Sequence, residues 1–139
     1  MLNFIDAVKN ILAEKNKTVK ELFENKIISE NTFYKYKQRY PSLKTLIKIA
    51  NYLEVSIDYL FEIDINNQFF PYVLGDLNFY NNLIVLIKNK RISGRKFCND
   101  LNYSRDNLLR WKAGTAPSMQ TLIEISEYFG CTIDDLLLK

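Results

Sequence analysis

The side chains with most chemical potential in this sequence are cations. Between Lys88 and Met119 stand Lys88, Lys90, Arg91, Arg95, Lys96, Arg105, Arg110 and Lys112, against only Asp100 and Asp106. Lys17 to Lys44 is a second such window, with seven basic residues and three acidic ones. Carboxylates gather elsewhere, at Glu54, Asp58, Glu62 and Asp64 and again at Glu124, Glu127, Asp134 and Asp135. A chain of net charge only +3 is thus sorted into basic and acidic stretches. Clustered Lys and Arg neutralise phosphates, so the basic windows read as polyanion-binding surfaces. Catalysis has little to work with. The sequence has no histidine, which removes His-based triads, imidazole metal ligands and the usual general base. It has no Gly-rich phosphate loop and no metal-ligand spacing. Cys98 and Cys131 lie far apart and read as small buried residues in a reducing compartment. The adjacent Asp134 and Asp135 fit helix capping better than acid/base work. The chain does not read as an enzyme, and no cofactor or metal is implied.

The elements that must position these cations come from a repeat. Pro41 to Phe61 returns as Pro117 to Leu137 without a gap, with the same Pro, Ser, Thr, Leu, Ile, Ile, Tyr, Ile, Asp and Leu. Internal repeats decide architecture before anything else does. Each block reads as helix, turn, short helix. Ser42 and Ser118 are N-caps, then Leu46, Ile49, Ala50 and Leu53 (matched by Leu122, Ile125, Ser126 and Phe129) form one helical face. Ser56 and Thr132 cap the second helix. Upstream, helix one carries Phe4, Val8, Ile11 and Leu12, matched by Phe79, Leu83, Leu86 and Ile87. Asn3 and Asn78 mark its two starts. Tyr80, Ile84 and Val85 are surplus to a single stripe and are candidates to meet the linker or another subunit. Helix two starts at Thr18 or Ser93, and helix three runs from Ser29 to about Gln38 or from Ser104 to about Ala113. Phe33 and Tyr36, or Leu108 and Trp111, face inward there. The register is 75 residues up to this point and 76 at the prolines. Between the units, 63–77 reads as a linker too apolar for a free tether, with Phe69, Phe70 and Tyr72 expected to be buried. No window is apolar enough to span a membrane, and the N-terminus lacks the pattern of a signal peptide.

Helix two, tight turn and helix three, followed by two further helices, is the order of a helix-turn-helix. Both halves resemble the phage-repressor-like (Xre/Cro) family of DNA-binding domains. The second half is more similar: Ser93-Gly94-Arg95-Lys96-Phe97-Cys98 resembles the family's helix two, with a large apolar residue followed by a small one. Asn102 holds the turn position usually taken by Gly, where Asn tolerates a left-handed backbone. Ser104 to Gly114 resembles the recognition helix with its Gly cap. The first half departs at Phe23, Ile27 and Arg39, where the pattern asks for a small residue, a turn Gly and a cap Gly. The resemblance implies an all-α chain of two tandem five-helix domains, 1–62 and 78–139, joined by the aromatic linker.

It also implies a reading face. In unit two, Arg105, Asp106, Asn107, Leu109 and Arg110 are the candidates for base edges: Arg pairs with guanine, Asp accepts from cytosine, and an apolar group meets a thymine methyl. Ser93, Gly94, Arg95, Lys96, Lys112 and Thr115 are candidates for phosphates. In unit one the corresponding sets are Glu30, Asn31, Tyr34 and Lys35, and Thr18, Lys20, Lys37 and Arg39. The expected function is a sequence-specific DNA-binding transcriptional regulator, a repressor, of bacterial or phage type and cytoplasmic. Its partner is double-stranded DNA, with half-sites about one turn, roughly 34 Å, apart if both units read. A homodimer through helix one of unit two or the linker is a further possibility. The alternative is a protein-interaction module of the same fold, such as an antitoxin-like or inhibitor protein of a mobile element.

Overall fold

The computed structural model describes residues 3–138. Among these the chain forms ten α-helices and no strand, and it divides into a first unit ending at Leu74 and a second beginning at Gly75. No helix among the described residues is long and apolar enough to cross a membrane.

In the first unit α1 is Phe4–Glu14, α2 Val19–Glu24, α3 Glu30–Tyr34, α4 Leu43–Leu53 and α5 Ile57–Leu60. The caps explain most of the starts. Asn3 Oδ1 accepts the N–H of Asp6 at 2.9 Å, Ser29 Oγ that of Thr32 at 3.2 Å, Ser42 Oγ that of Thr45 at 3.3 Å and Ser56 Oγ that of Tyr59 at 3.0 Å. Thr18 makes no side-chain cap, although its backbone is extended as a cap requires. The apolar stripes meet in one core of Phe4, Val8, Leu12, Leu22, Phe33, Leu46, Ile49, Leu53, Ile57 and Leu60, all buried.

Unit one departs from expectation at helix three and its approach. The α-helix stops at Tyr34, not near Gln38, and gives way to one turn of 3-10 helix, Lys35–Lys37, with a non-helical Tyr36 (φ −90°, ψ 22°). The helical stretch still ends at Lys37, the counterpart of Lys112, but with Arg39 where unit two has Gly114 (φ +106°) its last turn tightens to 3-10. The turn before helix three also shifts: Lys26, not Ile27, takes the left-handed backbone, at φ 56°. A β-branched residue is strongly disfavoured there, so α2 ends sooner and the turn moves one residue upstream.

Residues 63–74 belong to the first unit and are sewn to it. Tyr72 N–H donates to Asn51 Oδ1 and Asn51 Nδ2 donates to Tyr72 O, each at 2.9 Å. The Tyr72 hydroxyl accepts the N–H of Ile57 at 2.8 Å. Asn67 Oδ1 accepts the N–H of Ser56 at 3.0 Å, and its Nδ2 donates to Glu54 O at 2.9 Å. Of the three aromatics expected inside, Tyr72 is buried, Phe69 is half-buried and Phe70 is 71% exposed. The segment is held to the unit through Asn67 and Tyr72, so the Tyr72 side chain goes in with its hydroxyl on Ile57 N–H while Phe70, between the two anchors, stays outside.

In the second unit α6 is Phe79–Asn89, α7 Gly94–Leu101, α8 Arg105–Lys112, α9 Met119–Phe129 and α10 Ile133–Leu137. Ser93, Ser118 and Thr132 cap by side chain, Thr132 as a capping box with Asp135. Asn78 and Ser104 do not. Asn78 instead donates its N–H to Leu137 O at 2.9 Å, and Asn82 Nδ2 donates to Leu136 O and Leu138 O, tying α6 to α10. Phe97, Cys98, Leu83, Met119, Leu122 and Ile133 form the core. Leu86 and Phe129 are only half-buried, and of the surplus residues on α6 Val85 is exposed while Tyr80 and Ile84 are half-buried.

Candidate nucleic-acid interface

In unit two, α7, the turn and α8 hold the basic window on one supporting core. Phe97 and Cys98 anchor α7, and Trp111 anchors α8, edge-on to Phe79 at 5.2 Å and to Tyr103 at 5.8 Å. Between the helices Asn102 has φ 59°, the left-handed backbone its amide side chain tolerates. Gly94 sits where the helices approach: a Cβ added there would lie 3.2 Å from Leu108 Cδ1. Burial raises the Cys98 thiol above its ordinary value, and nearby Arg105 pulls it the other way.

The chain belongs to the Cro/C1-type helix-turn-helix DNA-binding domain family. The family model matches twice, over residues 7–64 and 82–138, which together take in both units. No curated protein and no solved structure gives a significant match. α8 is the third helix of the second copy and α3 its counterpart in the first.

Arg105, Asp106, Leu109 and Arg110 are all exposed on α8, Leu109 to 65%. Asn107 is half-buried, and its Oδ1 accepts from the Arg110 guanidinium. That contact draws the Arg110 fork back toward the N-terminal end of α8, the end that meets base edges in helix-turn-helix docking. Ser93, Arg95, Lys96, Lys112 and Thr115 are exposed and Gly94 half-buried. Thr115 spends its N–H on Arg110 O at 3.0 Å.

One network escaped the sequence reading. Lys96 Nζ lies 3.3 Å from Asp100 Oδ1, and the Tyr128 hydroxyl donates to Asp100 Oδ2 at 2.6 Å. The Tyr128 hydrogen bond, then Lys96, lowers the Asp100 carboxyl, against a partial desolvation. The same hydrogen bond pushes the Tyr128 phenol up to about 12. Lys90 stands over the Tyr128 ring at 4.4 Å, a cation–π contact. Two cations of the basic window therefore have partners on unit two itself. The Lys96–Asp100 spacing of i, i+4 was the visible signal.

In unit one, Glu30, Asn31, Tyr34 and Lys35 are exposed, but they are divided between a five-residue helix and a 3-10 turn. Thr18 and Lys20 are exposed at the start of α2. Lys37 Nζ stands 6.0 Å from the Tyr34 ring and Arg39 Cζ 5.7 Å from that of Tyr36. Phe23, where unit two has Cys98, is half-buried and packs against Phe33 and Tyr34 at ring distances of 5.8 and 6.3 Å.

Proposed function

We propose that the chain is a sequence-reading transcriptional regulator, repressing by occupancy, in which unit two carries the reading. The observation that supports this is the contrast between the two helices three. α8 is an unbroken eight-residue helix that exposes Arg105, Asp106, Leu109 and Arg110. α3 has five residues and opens with Glu30, a carboxylate facing the phosphates it would approach. Affinity comes from Arg95, Lys96 and Lys112 on phosphates, and sequence from α8 in the major groove.

The test is selection of duplexes from a random library, followed by single substitutions. Arg110→Ala should cost about 1–3 kcal/mol on the selected site and relax one base position. Lys96→Ala should weaken all duplexes alike and lower the salt slope by about one. Lys35→Ala should matter less than either. If Lys35→Ala removes discrimination and Arg110→Ala does not, the reading unit is the first. The protein-interaction reading draws support from exposed Ile65, Phe70, Val73 and Val85. Duplex affinity that ignores both salt and Arg110 would favour it.

A further inference from the structure

The differences between the two units converge on one place. At equivalent positions unit one has Lys9 for Ile84, Phe23 for Cys98, Phe33 for Leu108 and Tyr34 for Leu109. In unit one Lys9 and Tyr34 line a cleft of about 310 Å³ together with Asn3, Ile5, Asp6 and Lys37, and Phe23 and Phe33 pack against Tyr34. Tyr34 is 38% exposed, and its ring is braced edge-on by Phe33 at 5.2 Å and, tilted, by Phe23. The early end of α3 matters here: the 3-10 turn brings Lys37 over the Tyr34 ring, and Lys9 reaches the same cleft from α1. Asp6 is held by Asn3, which donates Nδ2–H to its carboxylate at 2.9 Å and accepts its N–H. The cleft thus offers a braced aromatic face, two ammonium groups, and amide and carboxylate groups fixed at the edge. Unit two, with Ile84 and Leu109, has neither the stacking ring nor the second cation.

We propose that this cleft is a site for one nucleotide unit, in which an unpaired base takes the place of Lys37 over the Tyr34 ring and Lys9 and the displaced Lys37 hold its phosphate. The volume lies at the lower end of the roughly 300–1,000 Å³ typical of ligand sites, room for one base and not for a duplex. Base–aromatic stacking on a tracked phosphate is how single strands are held without groove insertion. The site is independent of duplex reading by α8 and gives the divergent unit a different ligand. The nucleotide can be free or part of an unpaired strand.

The full chain is titrated at low salt with thymidine 5′-monophosphate, with a short oligothymidylate and with a fixed duplex, by calorimetry and fluorescence anisotropy. Tyr34→Phe keeps the ring and should bind as the parent does. Tyr34→Leu should weaken the nucleotide or single strand by roughly 5- to 150-fold, the worth of one stacked base, and weaken the duplex far less. Lys9→Ile should weaken the same ligands and flatten their salt dependence. Saturable, Tyr34-dependent binding of the monophosphate assigns the site to a free nucleotide; such binding of the oligomer alone assigns it to an unpaired strand. Failure of both probes to bind, indifference of both to Tyr34→Leu or Lys9→Ile, or an equal loss on the duplex overturns the proposal. Arg110→Ala, which should affect the duplex alone, keeps this outcome distinct from failure of the reading assigned to unit two.

Discussion

Cys98 shows how much rests on one small side chain. It is 1% exposed at the contact between α7 and α8, where Gly94 and Leu108 are already close. Two extra carbons have nowhere to go, so Cys98→Leu should overpack the contact and cost about 1–3 kcal/mol in a urea melt. Unchanged stability would mean that α7 can roll about its axis. Unit one, with Phe23 at the equivalent position, leaves the ring half out of the core and against Tyr34. That one exchange links packing to function: a small residue lets α8 dock, and a large one builds a different surface.

Among the elements, α7 is fastened at both ends. Ser93 Oγ accepts the Lys96 N–H at 3.0 Å at its start, and the Asp100–Tyr128 bond ties its last turn to α9. Asp100 also holds Lys96 in an ion pair, which on the proposed reading competes with phosphate. Asp100→Asn should therefore tighten binding to all duplexes and steepen the salt dependence by about one counterion, read as the slope of log K against log salt. The pH dependence has a definite sign. A carboxyl lowered on folding adds stability above its unfolded pKa, near 3.9, and loses it as pH falls through the lower folded value. Between pH 5 and 7 this contribution should be constant in thermal melts. The Tyr128 phenol, raised to about 12, adds stability that is full below about 10 and is lost as pH rises through about 12. Much of this level was legible beforehand. The helical stripes, the serine caps and the left-handed Asn102 follow from side-chain period and backbone sterics, which act locally. The tightened last turn of helix three and the shifted turn at Lys26 were signalled by Arg39 and Ile27, although not where the chain would compensate. The Asp100–Tyr128 tie was not legible, because it joins residues 28 apart in sequence.

At the scale of the molecule, the chain is an internal repeat whose two copies share the Ser42/Ser118 and Ser56/Thr132 caps and an apolar core and differ at the surface. The first copy has a longer end: the boundary falls between Leu74 and Gly75, and the apolar segment that read as a linker is fastened to unit one by Asn51, Ile57 and Tyr72. Within that segment Asp64 accepts from the Asn66 N–H and the Gln68 side chain, each at 3.0 Å, while Gly75 and Asp76 are exposed. Proteases nick where backbone opens at little cost. A protease that cuts before aspartate should therefore cleave the native chain at Asp76 well before Asp64, giving fragments that mass spectrometry can assign. Tyr72→Phe should reduce the protection. It leaves the buried N–H of Ile57 without its acceptor, a loss of about 1–3 kcal/mol, and weakens the segment's far anchor to the two Asn51 bonds on the Tyr72 backbone. Cleavage at Asp64 should then rise several-fold while the Asp76 rate is unchanged. Equal cleavage at both aspartates in the parent chain would show that residues 63–74 are a tether after all.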